Sequence, residues 1–410
     1  MARPRFTIPL RGVESLVTFL TEGKNERMRI LVLGAGRMGY GATFDLARTS
    51  EVEAVTVADI DLGLARRTAS RLSGGKVKPV QADVNRFEDI AELMRGHDAA
   101  ISCVVYKHNL SLARAAIEAG VNFCDLGGNN AVVDAELRLD KEARRAGINI
   151  IPDCGLAPGM ASVLVAHGAA RFEHLDEVYI RVGGLPVHPR EPLNYQLVFS
   201  VDGLINEYVE RARVIRDYRI VEVDSMTELE QLSFPAPFES MEAFQTSGGV
   251  STLPETLLGR VKELDYKTIR YPGHCERFKL LIDLGLASSD PVAVAGVEVA
   301  PRAVLSELLV KHLPADEPDV VLIRVEFRGL YKDRRRSLVY DIIDYYDDRT
   351  GLSAMMRMTA FPASIIAQMM ARGDIKEKGA IPQERCVPPV PFVAALEERG
   401  IKISERLTDH

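Results

Sequence analysis

Between residues 28 and 153, short runs of aliphatic and β-branched residues alternate with stretches whose apolar positions recur at helical spacing. The runs at 29–34, 54–59, 77–82, 99–105, 122–126 and 149–152 predict strands, and helices are expected to start near Met38, Leu62, Phe87, Asn109 and Asp134. Gly96, Gly120 and Gly147 fall where helices end in a left-handed residue. Strands alternating with helices in this way predict a doubly wound α/β fold around a parallel sheet, a Rossmann domain.

The rhythm changes after Pro158. A helix is predicted over 160–170, then strands over 177–183, 195–200, 214–223, 266–271, 320–327 and 337–345, with helices at 203–210, 275–283 and 302–313. Lys332 to Arg336 read as a solvated hairpin turn between the last two strands. This pattern predicts a second, α+β domain over 154–351 with a largely antiparallel sheet. Residues 352–410 read as an amphipathic helix over 352–371, a Pro-rich stretch and a last helix over 391–400, expected to return to the Rossmann domain. Residues 1–27 precede the first strand and read as an extension.

Composition narrows the function classes. A chain of 410 residues exceeds one compact core, in keeping with two domains. A net charge of −7 disfavours nucleic acid and anionic membrane surfaces, which select basic proteins. No apolar run is long enough for a bilayer span. The five cysteines lack metal-ligand spacing, so no metal site is expected, and they read as reduced thiols of a cytoplasmic protein. The long second sheet makes a homodimer the expected assembly.

The first strand runs into Gly34-Ala35-Gly36-Arg37-Met38-Gly39. Gly34 allows the tight turn, Gly36 lets backbone approach a pyrophosphate, and Gly39 lets the next helix pack closely with its N-terminus toward the anion. Asp59 ends the second strand, where a carboxylate accepts the ribose hydroxyls. Ile60 and Asp61 offer no cation for a 2′-phosphate, so NAD is expected rather than NADP. Asp83 is read either as an adenine-side contact or as a helix cap. Ligands of such sheets lie beyond the carboxyl ends of the strands, which places Cys103, Val104, Val105, Gly127, Gly128, Asp153 and Gly155 near the nicotinamide. The Gly127–Gly128 pair would let backbone approach a planar ring.

With that fingerprint, the run Pro152-Asp153-Cys154-Gly155-Leu156-Ala157-Pro158-Gly159 resembles the saccharopine dehydrogenase family, and within it the lysine 6-dehydrogenases. Matching stretches continue at Val182-Gly183-Gly184-Leu185-Pro186, Asp202-Gly203-Leu204-Ile205-Asn206-Glu207-Tyr208 and Thr268-Ile269-Arg270-Tyr271-Pro272-Gly273-His274. The resemblance implies oxidation at a carbon bearing an amine, the hydride passing to NAD. For lysine it implies oxidation of the ε-carbon to an imine, then hydrolysis to allysine, which cyclises to piperideine-6-carboxylate, with release of ammonia. A saccharopine dehydrogenase, and a non-catalytic NAD-binding protein, are the alternatives.

The substrate amine must be neutral to lose hydride, whereas a free lysine ammonium has a pKa of about 10.4. Asp153 is a candidate for holding the amine or the attacking water, and His274 for relaying protons near neutral pH. Arg270 suits a bidentate grip on the α-carboxylate. Glu207 and Tyr208 are candidates for the α-amine, and Thr246 and Ser247 for a carboxylate. Met355, Met356, Met358, Met369 and Met370 read as core packing.

Overall fold

The computed structural model describes residues 27–72 and 74–409. Apart from Arg27, the N-terminal extension lies outside the described residues. The first sheet contains β1 (Met28–Leu33), β2 (Val52–Asp59), β3 (Val77–Gln81), β4 (Ala99–Ser102), β5 (Asn122–Asp125) and β6 (Asn149–Ile151). A late strand, Gly379–Ala380, pairs in parallel with β6, giving the order Gly379–Ala380, β6, β5, β4, β1, β2, β3. The order reverses between β1 and β4, and the crevice at their carboxyl ends is where such sheets bind ligands. The helix expected from Asp134 onward is two, Asn130–Leu137 and Asp140–Ala146.

The second sheet has nine strands, all antiparallel except for one pair: Glu263–Arg270 runs parallel to His174–Pro186. The sheet's longest strands, His174–Pro186, Asp319–Tyr331 and Arg334–Tyr345, pair along nearly their full lengths. Three expectations change here. Residues 195–200 form no strand: Asn194 turns left-handed at φ 50°, and Tyr195, Leu197 and Val198 are buried as irregular chain before helix Val201–Val209. The single strand expected over 214–223 is a hairpin, Ala212–Arg216 and Arg219–Val223, turning at Asp217 and Tyr218 with φ of 47° and 63°. Strands Met241–Gln245 and Ser404–Asp409 carry no sequence signal, the latter because every residue of this edge strand is exposed and shows no alternation. Ser404–Asp409 closes the second sheet beside Arg334–Tyr345, so the chain end leaves the first domain again.

Helix Ala354–Arg372 joins the two sheets. It packs on helix Arg37–Arg48, on β1, β4 and β5, and on strands Asp319–Tyr331 and Arg334–Tyr345. Its apolar residues, including Met355, Met356, Met358, Met369 and Met370, belong to one core that extends through both domains. Helix Arg37–Arg48 comes so close that a Cβ on Gly41 would stand 3.0 Å from that of Ala360. Polar ties fix the angle. Asp45 accepts from Ser364 at 2.6 Å and from Arg399 at 2.7 Å, while Arg357 forks onto Asp344 of the second sheet at 2.9 and 3.1 Å.

The start of this helix is capped from outside. Ser353 Oγ accepts from Met356 N at 3.1 Å, and the carboxylate of Asp319 accepts from Ala354 N at 2.6 Å and Met355 N at 2.9 Å. Three of the four first-turn donors are thus satisfied, two by a fully buried acid from the second sheet. Asp319→Ala leaves two buried N–H groups without acceptors and is expected to lower stability by about 2–4 kcal/mol. The urea midpoint measures this, and a change below about 0.5 kcal/mol would remove Asp319 from its role as the cap.

Candidate active site

The dinucleotide cradle is built where β1 meets the first helix. A Cβ on Gly39 would stand 1.8 Å from the Gly34 carbonyl, and one on Gly34 would stand 2.9 Å from the Cys103 carbonyl. These glycines are required by backbone packing. Gly36 differs: its Cβ direction is open, it is exposed, and no side chain caps the first turn of the helix it starts. The cradle therefore fits a pyrophosphate, whose oxygens can take the N–H groups left free there. Asp59 accepts from Ala35 N at 2.8 Å and from Asp61 N at 2.9 Å, which fixes its carboxylate at the rim of the cradle. Asp61 caps helix Leu62–Ser70 through Gly63 N and lies 3.6 Å from Arg67. Ile60 and Val105 expose apolar side chains at the two sides of this crevice, and Val104 packs against the turn at Gly34.

Other expected cofactor contacts have different duties. Arg37 reaches across the crevice, donating to the Ala315 carbonyl at 2.8 Å beside Asp316 at 3.6 Å, so it ties the cradle to the second domain. Met38 packs against the shared core. Asp83 Oδ1 accepts from the backbone and side-chain nitrogens of Asn85, at 3.0 and 2.8 Å, which makes it a turn-former whose second carboxylate oxygen takes no such bond. The space beside Gly127 is filled by Asp153, whose Oδ1 would be 1.8 Å from an added Cβ, and that beside Gly128 by the ring of Tyr106. Those two glycines make room for side chains of this chain, not for a planar ligand. Cys103 is half-buried, and burial raises its thiol pKa; Cys154 is fully buried.

Arg270 ends strand Glu263–Arg270 and is 2% exposed. Its Nε donates to Tyr208 Oη at 2.9 Å and its Nη1 to the Ile269 carbonyl at 2.9 Å, with the guanidinium 4.8 Å from the centre of the Tyr195 ring. Nη2 takes no acceptor among the described residues. A buried guanidinium with a free edge fits an incoming carboxylate. On helix Val201–Val209, Glu207 is half-buried and its carboxylate has no hydrogen bond among the described residues. Burial pushes its pKa up to about 7, against the pull of Arg270.

His274 and Tyr208 support this pair instead of meeting substrate. The Leu193 carbonyl can only accept, so His274 Nδ1 carries the proton of that 2.8 Å bond. Nε2 then accepts from Tyr208 Oη at 3.0 Å, and Tyr208 in turn accepts from Arg270. Burial and the charge of Arg270 push His274 down to about 3, so it stays neutral and is no relay at neutral pH. With its hydroxyl engaged on both sides, Tyr208 does not take an α-amine. The Thr246 hydroxyl bonds that of Thr268 at 2.7 Å, and Ser247 bonds the Asn206 carbonyl at 3.4 Å and the Glu207 carbonyl through its N–H at 3.0 Å. Both hydroxyls are thus engaged within the chain. Gly155 is buried against Leu126 and Thr359 in the turn that Gly159 closes.

In the loop over 246–252, Ser251 donates to Asp153 Oδ2. Asp153 follows β6 in the left-handed region at φ 60° and is 1% exposed. Its pKa is pushed up to about 8, first by burial and then by the charge of Asp125, with a smaller contribution from Glu384. Ser251 and Thr252 also line a cavity of about 320 Å³ with Arg213, Thr256 and Arg385. Behind them Glu384 accepts from Thr252 and Thr256 at 2.9 and 2.6 Å. Sequence reasoning passed over Ser251, which lies 98 residues from its partner and inside a run of small residues. Among the described residues no cluster of His, Cys, Asp or Glu could hold a metal ion, and no helix is long and apolar enough to cross a membrane.

Two family models match consecutive parts of the chain: the saccharopine dehydrogenase NADP binding domain over residues 30–151, and the saccharopine dehydrogenase C-terminal domain over 155–401. The mouse mitochondrial alpha-aminoadipic semialdehyde synthase is 23% identical over 90% of this chain, which spans only 46% of the mouse protein's length. A fission-yeast (Schizosaccharomyces pombe) saccharopine dehydrogenase, described as NADP(+), L-glutamate-forming, is 20% identical and covered over 93% of this chain and 99% of its own. The solved apo saccharopine dehydrogenase (L-Glu forming) of Saccharomyces cerevisiae shares the fold, with a TM-score of 0.76 over 93% of this chain and all of that one, at 20% identity. With a parallel dinucleotide-binding sheet, a mixed second sheet and both family models matched, the chain belongs to the saccharopine dehydrogenase family of oxidoreductases.

Proposed function

We propose that the protein oxidises the ε-carbon of free L-lysine with NAD, the reaction of a lysine 6-dehydrogenase. The observation that carries this reading is the juxtaposition of Arg270, with one guanidinium edge free, and Glu207, whose carboxylate has no partner. Together they present a cation and an anion to the α-carboxylate and α-ammonium of one amino acid. The loop over 246–252 ties this pair to Asp153, since Ser247 bonds the Glu207 carbonyl and Ser251 bonds the Asp153 carboxyl. Four residues span at most about 14 Å, a distance suited to an extended amino acid with its hydrogen-bonding partners.

In this reading Gly36 and the first turn of the helix would hold the pyrophosphate of a dinucleotide, which would supply the hydride acceptor for the ε-carbon. Asp153 takes a proton from the ε-ammonium, leaving a neutral amine. Loss of the hydride then converts the C–H and the nitrogen lone pair into a C=N bond. Water adds to that carbon, and ammonia leaves as the aldehyde forms. Between an ammonium at about 10.4 and an acid at about 8, the first transfer is uphill by about 3 kcal/mol, which desolvation of the ammonium reduces.

Asp59 and Asp61 favour NAD, because a 2′-phosphate at the end of β2 would meet two carboxylates. A second reading, oxidation of saccharopine, is favoured by the cavity beside Ser251, where Arg385 could receive a dicarboxylic arm; Arg213, on the same wall, is paired with Glu255. Absorbance of reduced cofactor separates the two. Lysine with NAD is expected to give turnover and free ammonia; turnover with saccharopine alone, releasing glutamate, would replace the first reading by the second.

The base makes a further prediction. Asp153 acts only when ionised, so kcat/KM for oxidation should rise with pH through an apparent pKa near 8. Asp153→Asn should lower kcat/KM by about 10²–10⁴-fold and abolish that limb. An unchanged pH profile in the variant assigns the base elsewhere.

A further inference from the structure

Behind Asp153 lie two more carboxyl groups, and no ion pair reaches any of the three among the described residues. Asp125 ends β5, and Glu136 projects from helix Asn130–Leu137 on the same face as Val133. Both are fully buried. Asp125 Oδ1 accepts from Gly127 N at 2.6 Å and from Asp153 N at 3.3 Å. Asp125 Oδ2 and both oxygens of Glu136 have no well-formed hydrogen bond to a donor among the described residues, although the Asn109 side chain lies beside Asp125 and favours its charged form. The two carboxyl groups are neighbours in this buried space and act on each other directly.

Two buried carboxylates cannot both remain ionised in contact, and an unsatisfied buried oxygen is costly. One proton placed between them removes the like-charge contact and gives partners to two of the three oxygens. Which residue holds it follows from the donors. Asp125 is supplied with two backbone N–H groups that favour its charged form, whereas Glu136 has none.

We propose that Glu136 is a positioning residue whose carboxyl stays protonated at working pH and donates to Asp125, keeping Asp125 ionised beneath the base Asp153. The inference rests on the reading of Asp153 as the base. Asp125 has two effects on that residue. Its Oδ1 holds the Asp153 and Gly127 backbones, which sets the left-handed turn, and its charge keeps the Asp153 proton affinity high. Burial and the neighbouring Asp125 push Glu136 up to about 11, while Asp125, with its donors, rises only to about 6. The other groups facing the trio are Asn109 from the helix after β4, the thiols of Cys103 and Cys154, the Ser251 hydroxyl and Glu384. None of them is a cation.

Two substitutions test this. In Glu136→Gln an amide N–H replaces the carboxyl O–H as donor to Asp125; in Glu136→Leu the donor is lost. The pH limb of kcat/KM should stay in place in Glu136→Gln. In Glu136→Leu, Asp125 takes the proton itself and no longer opposes ionisation of Asp153, so the limb should move down by about one pH unit or more. Equal shifts in both variants, or a shift in neither, would overturn the proposal. Infrared spectra of the protein without substrate give a second readout. At about pH 9 the wild type should show the C=O stretch of a protonated carboxyl that Glu136→Gln lacks, and identical spectra would also sink it. Because that band does not depend on turnover, failure of Asp153 as the base remains distinguishable from failure of the Glu136–Asp125 pair.

Discussion

The structure depends on one helix being shared by two sheets. Ala354–Arg372 lies against the first helix and the central strands of the parallel sheet, and against the longest strands of the second sheet. Its apolar residues belong to the core cluster that both domains share. Its N-terminus is held by Asp319 from one domain, and Ser364, farther along the helix, is held by Asp45 from the other. The crevice between the carboxyl ends of β1, β4, β5 and β6 and the loops of the second domain therefore has a defined width. A hydride moves only between atoms held about 3–3.5 Å apart, so this rigidity is a chemical requirement as well as a structural one.

Burial then acts in opposite ways on the polar groups lining the crevice. Arg270 cannot lose its proton, so burial leaves a cation held by Tyr208, which is held by the neutral His274. The result is a fixed cation with one free edge. The carboxyl groups of Asp153, Asp125 and Glu136 can take protons, and burial raises all three by different amounts according to how many donors each receives. One physical effect thus supplies a fixed cation at one end of the site and titrating acids at the other. Such a division suits an enzyme that must grip a charged amino acid and deprotonate its far end.

Local features were legible in the sequence, and long-range ones were not. The glycine turn at Gly34–Gly39 is a contiguous motif whose constraints are set by its own backbone and by Cys103, and Asp59 is a fixed step beyond it. The role of Gly127 was misread because the atom that requires a glycine there, Asp153 Oδ1, lies on another strand. His274 looked like a relay because the groups that neutralise it, Tyr208 and Leu193, are 66 and 81 residues away. Thr246 and Ser247 looked like ligands for the same reason; their hydroxyls are consumed by Thr268 and Asn206. Glu136 did leave a signal. It is an acid on the Val133 face of a short helix, where burial predicts an apolar residue.

In the proposed reaction a hydride leaves the ε-carbon of lysine inside this crevice. The most direct measurement uses L-lysine carrying deuterium on that carbon, with mass spectrometry of the dinucleotide after turnover. The account predicts reduced NAD that is one mass unit heavier than that formed from unlabelled lysine, together with deuterium retained on the aldehyde carbon. Reduced dinucleotide free of deuterium would contradict it, because the hydride would then come from another carbon.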